Sequence, residues 1–155
     1  MLFVVFKAGD ASYALEACQV IEVVPLVTLR ACPGAPVYVT GLANYHGTGV
    51  PVVDLGRLVG GAPCTVYLST RIILAPYAGG GGRQRIIGLM AETVMETVER
   101  EETDFAQTSV AAPGTSCLGK LAVSGAGFIQ RVVVEQLVPK ELEGLLFAEP
   151  EKSAS

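Results

Sequence analysis

Apolar residues fall along this chain in short runs, cut at close intervals by glycine, proline and charged residues. Leu2 to Phe6 is rich in β-branched and aromatic residues, Gly9-Asp10 breaks it and Tyr13-Ala14-Leu15 restarts it, a pattern that predicts a hairpin. In Ala17 to Pro25 (A-C-Q-V-I-E-V-V-P), Val20, Val23 and Val24 fall at i, i+3 and i+4, which allows a helical turn. The β-branched pairs and Pro25 favour an extended chain, so a short turn of helix running into a strand is expected. Arg30 to Pro36 reads as a loop. Val37 to Leu42 is apolar, with Gly41 near its end. Gly47-Thr48-Gly49 then supplies a turn, and Val50 to Val53 the next strand. Pro51 has no N–H for a ladder, which places it at an edge or a bulge. Asp54 reads as the N-cap of a short helical segment from Leu55 through Val59.

Further strands are expected over Thr65 to Ala75, Gln84 to Met90, Thr93 to Val98, Leu118 to Val123 and Phe128 to Val134. The glycine run of Ala78 to Arg83 is a turn without the spacing that cradles phosphate. Val110 to Cys117 reads as loop. Leu142, Leu145 and Leu146 follow Pro139 at helical spacing, so a C-terminal helix from about Pro139 to Phe147 is expected, then a flexible tail over 149–155. Many short strands punctuated by glycine and proline predict an all-β barrel or sandwich, and each half of the chain reads as a strand-rich unit of its own. No fixed-period repeat shows in the letters.

With 155 residues the chain is sized for one domain or two small, closely packed units. Its 50% hydrophobic and 17% charged content excludes a disordered chain. A net charge of −4 without a basic cluster argues against nucleic acid and against anionic membrane as partners. The four cysteines, Cys18, Cys32, Cys64 and Cys117, show no C-x-x-C spacing, and with a single histidine there is no zinc pattern. They read as small apolar side chains, kept reduced. The opening M-L-F-V-V-F-K lacks a basic segment before its apolar run, and no stretch approaches the roughly 18 apolar residues of a membrane span. A cytoplasmic protein without membrane insertion is expected.

Chemistry turns on N-Y-H-G-T-G-V-P-V-V-D-L, from Asn44 to Leu55, which holds the only histidine, His46, with Asp54 beyond it. A hydrolase would have to use His46, and no G-x-S-x-G elbow accompanies it. The glycine after His46 points to an exposed turn, where a histidine serves more often as a contact than as a base. Glu99, Glu101 and Glu102 read as a solvated acidic face. No catalytic residue, cofactor site or metal ligand is assigned. A barrel carrying a small ligand stays open, because an apolar interior reads alike whether side chains or a ligand fill it.

One ordered series of segments resembles the CheW-like family, adaptors that couple chemoreceptors to a CheA-type histidine kinase. The segments are F-V-V-F-K-A-G-D-A-S-Y-A-L, Q-V-I-E-V-V, C-P-G-A-P-V-Y-V-T-G-L-A-N-Y-H-G, V-P-V-V-D-L, T-R-I-I-L and I-I-G-L-M-A-E-T-V-M-E-T-V, in order from Leu2 to about Phe147. The resemblance implies two small five-stranded SH3-like β-barrels on a shared core, with short helices. It implies one CheW-like domain over 1–148 made of two interleaved barrels. It also implies a non-enzymatic scaffold, held at receptor arrays by its partners. Those partners would be the kinase's regulatory domain and the signalling tip of a methyl-accepting chemoreceptor. Val20 and Glu22 match the family's V-x-E-V segment, Gly41 a glycine on the kinase side, and Asn44 and Gly47 the N-L-R-G turn. Val94 matches a strand bordering the receptor groove, and His46 stands where the family has arginine, as a candidate interface residue. Exchanging a guanidinium for an imidazole removes donors and makes a contact to a carboxylate sensitive to pH. The family's V-D-x-V is A-E-T-V here, with Glu92 for aspartate. The tyrosine of N-Y-H-G, the compact start and the tail L-V-P-K-E-L-E-G-L-L-F look more like the short members of Wsp-type surface-sensing pathways. The adaptor reading predicts exposed apolar residues near Val20 and Val94.

Overall fold

The computed structural model describes residues 1–59, 61–77, 85–105, 121–124 and 127–138. The glycine-run turn, the loop over Val110 to Cys117, the C-terminal helix and the tail expected from the sequence lie outside the described residues.

The amino-terminal hairpin forms as expected. β1 (Leu2–Ala8) pairs antiparallel with β2 (Ala11–Glu16), in register from Phe3 opposite Glu16 to Ala8 opposite Ala11. Its run of apolar residues does not alternate with polar ones because both faces are covered. Phe3, Val5 and Ala14 point into a small cluster with Phe105, Ala122 and Ile129. Phe6, Ala8, Tyr13 and Leu15 point the other way, into a larger core shared with the rest of the chain.

The remaining strands are β3 (Glu22–Pro25), β4 (Val39–Tyr45), β5 (Thr48–Asp54), β6 (Arg71–Tyr77), β7 (Arg85–Ala91), β8 (Thr93–Glu99), β9 (Leu121–Ser124) and β10 (Gly127–Arg131). They build two five-stranded sheets, the first in the order β8-β1-β2-β10-β9 and the second in the order β3-β6-β7-β5-β4. The two orders are the same diagram drawn twice. Each sheet has one antiparallel hairpin (β1–β2, β6–β7) joined through a parallel pair (β2–β10, β7–β5) to a second hairpin (β10–β9, β5–β4). In each, a one-turn helix follows the strand of the parallel pair: α1 (Leu55–Leu58) after β5 and α2 (Val134–Leu137) after β10. The duplication lies in topology and not in the letters. It is also displaced along the chain, since β1 and β2 complete a sheet whose other strands come last.

The larger core takes Ile72, Ile73 and Leu74 from β6, Ile87 and Leu89 from β7, Val50, Val52 and Val53 from β5, and Val134 and Leu137 from α2, beside the hairpin's Phe6 and Leu15. All of these are 2% exposed or less.

Several boundaries differ from expectation. The strand expected from Thr65 begins only at Arg71. The Thr70 hydroxyl, 1% exposed, accepts the Tyr67 N–H at 2.8 Å, and the Thr70 N–H returns to the Tyr67 carbonyl at 3.1 Å, closing a turn instead. The expected strand ending at Val134 stops at Arg131, and Val134 opens α2. Pro51 is at neither an edge nor a bulge. β5 is interior to its sheet, and the register shift lies on β4 between Val39 and Gly41. The ladder absorbs the proline because the pairs alternate. Counting out from Tyr45 opposite Thr48, which closes the hairpin, Leu42 opposite Pro51 is a non-hydrogen-bonded pair, and the parallel ladder to β7 starts one residue later at Val52.

Candidate functional site

The two edges of the second sheet, β3 and β4, approach each other. Arg30, in the segment between them, bonds Leu42 of β4 through both backbone groups, at 2.9 and 2.8 Å. Gly41 makes this possible: a Cβ there would lie 2.6 Å from the Arg30 carbonyl oxygen and 3.0 Å from the Leu29 side chain. Its duty is thus closure of the sheet, at a buried position.

At the end of β4 the chain reverses through His46 and Gly47, with φ of 51° and 84°. Two left-handed residues between the paired Tyr45 and Thr48 make a type I′ turn, whose twist suits a two-residue hairpin. The turn is one residue earlier than the glycines suggest, and Gly49 is inside β5. Asn44 Oδ1 accepts the Gly47 N–H at 2.9 Å and holds the turn from within. His46 is exposed, as the turn predicts, and its ring stands edge-on to Tyr45 with centroids 4.4 Å apart. The Tyr45 hydroxyl donates across the gap between the edges to Glu22 Oε1 at 2.8 Å. That hydrogen bond to the Glu22 carboxylate, then desolvation and the carboxylate's charge, raises the phenol above its ordinary value.

Glu22, Asn44, His46 and Gly47 therefore come together, with Gly41 beneath them. Val20 does not join them as an exposed contact. It follows the 3-10 turn Ala17–Gln19 and packs, half-buried, on the shared core. The exposed apolar residues are its neighbours Ile21 (45%), just before edge strand β3, Val23 (36%), on it, and Val27 (45%), just past it. Val94 is on β8, the edge strand of the other sheet, also half-buried against the core, and Met95 beside it is 50% exposed. Sequence reasoning missed Ile21, Val23 and Tyr45. The period-two alternation in Val20-Ile21-Glu22-Val23 puts Ile21 and Val23 on one face without saying which face looks outward, and the Tyr45 to Glu22 bond spans 23 residues and has no local signal.

The geometry offers His46 no catalytic partner in Asp54. The two flank opposite ends of β5, about 20 Å apart at the rise of a strand. Asp54 is 4% exposed, and its carboxylate accepts the N–H groups of Gly56 (2.9 Å), Arg57 (3.4 Å) and Cys64 (3.1 Å) as the expected N-cap and more. The Cys64 thiol is pushed up to about 12, first by burial and then by the Asp54 carboxylate, so it is no nucleophile near neutral pH. Among the described residues, no group of three or more His, Cys, Asp or Glu could hold a metal ion, and no helix is long and apolar enough to cross a membrane.

A family model described as "CheW-like domain" matches residues 2–142. The chain is similar to "Chemotaxis protein CheW" of Rhizobium meliloti (strain 1021), 25% identical over 141 residues, covering 89% of this chain and 87% of that one. It is similar to "Probable chemotaxis protein CheW" of Rhizobium etli, 26% identical over 93 residues, covering 60% of this chain and 57% of that one. The same share of this chain, 60%, matches "Protein FrzA" of Myxococcus xanthus at 26% identity, covering 55% of that protein. Against the Rhizobium etli and Myxococcus xanthus relatives, the aligned stretch spans a little over half of the relative's length. In three dimensions it superposes with a TM-score of 0.77 on the scaffolding protein TtCheW from Thermoanaerobacter tengcongensis, at 24% identity and covering 90% and 89% of the two chains. The all-β class with two five-stranded barrel sheets and short helices is the fold of both.

Proposed function

The chain belongs to the CheW-like domain family, and on that premise we propose that it is a non-enzymatic adaptor joining methyl-accepting chemoreceptors to a CheA-type histidine kinase in chemotaxis-like signalling. The relatives' names as chemotaxis and scaffolding proteins support this. The observation that carries it here is the exposed apolar set Ile21, Val23 and Val27, on edge strand β3 and to either side of it, beside a turn already fixed by Asn44 and by the bond between Tyr45 and Glu22. A fixed polar turn bordering apolar side chains loses little conformational entropy on docking, which suits recognition of a protein surface. We assign partner contacts to Glu22, Asn44, His46 and Gly47, with Ile21 and Val23 replacing Val20 as the apolar anchors. Val94 with Met95 is assigned to a second contact on the other sheet. A stable complex would bury roughly 1,200–2,000 Å². Residues 1–148 act as one unit in this reading, located in the cytoplasm at receptor arrays. A Wsp-type surface-sensing output is the pathway this reading favours.

A ligand-carrying barrel finds less support. Phe6, Leu15, Ile72, Ile73 and Leu89, each 1% exposed or less, fill the interior with side chains.

The test is recovery of partners by mass spectrometry on tagged protein drawn from its own cells, beside the variants Ile21→Glu and Val23→Glu. A CheA-type kinase and a methyl-accepting receptor should be recovered with the parent protein, and at least tenfold less with the folded variants. Recovery of neither from folded parent protein at gentle salt would remove the adaptor reading. Undiminished recovery with both variants would move the contact away from β3.

A further inference from the structure

Glu92 stands where the chain leaves the second sheet at Ala91 and enters the first at Thr93. All four of its polar groups are used, and they reach three different segments. Its N–H donates to the Lys7 carbonyl of β1 at 2.9 Å, and its carbonyl accepts the Ser69 hydroxyl at 2.9 Å. Its carboxylate accepts the Gly9 N–H, in the turn between β1 and β2, on Oε1 at 3.0 Å. The other oxygen, Oε2, accepts the Thr65 N–H, in the segment leading from α1 to β6, at 2.7 Å. One carboxylate thus spans from a turn of the first sheet to a loop of the second.

We propose that the Glu92 carboxylate is a two-ended clasp that couples the two sheets, so that a displacement of the 61–70 segment is transmitted to the β1–β2 turn through one side chain. Three features support this. Among the described residues, none of the loop's other bonds reaches Gly9: Cys64 bonds Asp54 and Met90, Gly61 the Gly56 carbonyl, Ser69 the Glu92 carbonyl, Tyr67 bonds Thr70, and Arg71 the Leu68 and Thr70 carbonyls. A charged acceptor makes each of its two bonds stronger than a neutral one would be. The length of glutamate also matters. Aspartate is one methylene shorter, and its two oxygens fall short of holding both amides from the same backbone position. The inference concerns how the sheets are joined and does not rest on the adaptor reading.

The test uses the full chain and amide resonances in solution NMR. The Gly9 and Thr65 amide protons should both be shifted downfield in the parent protein. In Glu92→Gln at most one of the two amides should remain shifted. In Glu92→Asp one amide should move to an unbonded position. The readout a merely structural residue would not move is transmission. Thr70→Ala, which opens the Tyr67 turn of the loop without touching Glu92, should shift the Gly9 amide and speed its exchange several-fold with Glu92 present, and leave Gly9 unmoved in the Glu92→Gln background. A Gly9 amide with no downfield shift in the parent protein, or an effect of Thr70→Ala on Gly9 that persists without the carboxylate, would overturn the clasp. So would a Gly9 that ignores Thr70→Ala in the parent protein. Glu92→Gln keeps the size of the side chain, so the comparison does not depend on a truncated variant folding.

Discussion

Asp54 shows how one side chain can look catalytic in sequence and prove to be a fastener. Its oxygens take three backbone N–H groups, two at the start of α1 and one from Cys64, ten residues on. Asp54→Ala leaves those donors without their acceptor in a buried place, and should cost about 2–3 kcal/mol in urea unfolding, more than an exposed cap would. Cys64 gives a prediction in pH. Its folded thiol titrates near 12 because the thiolate would be buried and beside a carboxylate. A group raised in the folded state stabilises fully below its unfolded value and loses that contribution as pH rises through the folded one. The Cys64 share of stability should therefore be intact at pH 8 and fade between about 9 and 12. Labelling with a thiol reagent at pH 8 should modify the exposed Cys18 and spare Cys64 until the chain is unfolded.

At the scale of elements, the hairpin from β4 to β5 was largely legible, since N-Y-H-G announces a turn and V-P-V-V a strand. What escaped was the exact pair of turn residues and the place of Pro51. The turn is set by which residues accept positive φ, and His46 accepts it although glycines were on offer nearby. Pro51 sits inside a sheet because ladder hydrogen bonds alternate, which no composition rule can reveal without the register. The stretch 65–70 reads as strand because Thr65, Val66 and Tyr67 have strand propensity, and the Thr70 hydroxyl and the Glu92 carboxylate override it with turn and loop bonds. Closure of the second sheet was invisible for a similar reason: it depends on the Arg30 carbonyl lying where a Cβ of residue 41 would be. Gly41→Ala must push backbone against backbone. It should cost about 1–3 kcal/mol in thermal or urea unfolding, and loosen the bond pair between Arg30 and Leu42 as read by faster exchange of their amides.

For the whole molecule, the fold class followed from short apolar runs between glycines and prolines, while the duplication did not, because the two halves share a diagram and not a spelling. The partner contacts were legible only as far as matched motifs carried them, and the shift from Val20 to Ile21 and Val23 needed to know which face of β3 looks outward. The larger core draws on strands of both sheets, so the two cannot melt independently. Leu89→Ala, at a fully buried position on β7, should cost about 2–5 kcal/mol and lower a single unfolding transition, with near-ultraviolet dichroism and tyrosine fluorescence changing together.

The order of strands also sets a schedule. The second sheet is continuous from Glu22 to Ala91, whereas β2 must wait for β10, and Glu16 for its ion-pair partner Arg131, 115 residues later. At a ribosomal pace of about 5–20 residues per second, that wait lasts roughly 6–23 s. Through it the Phe3 and Val5 face of the first hairpin has no Ile129 to cover it, while the second sheet can already close. The nascent chain should thus carry one finished half and one sticky hairpin, with β2 and β10 meeting last.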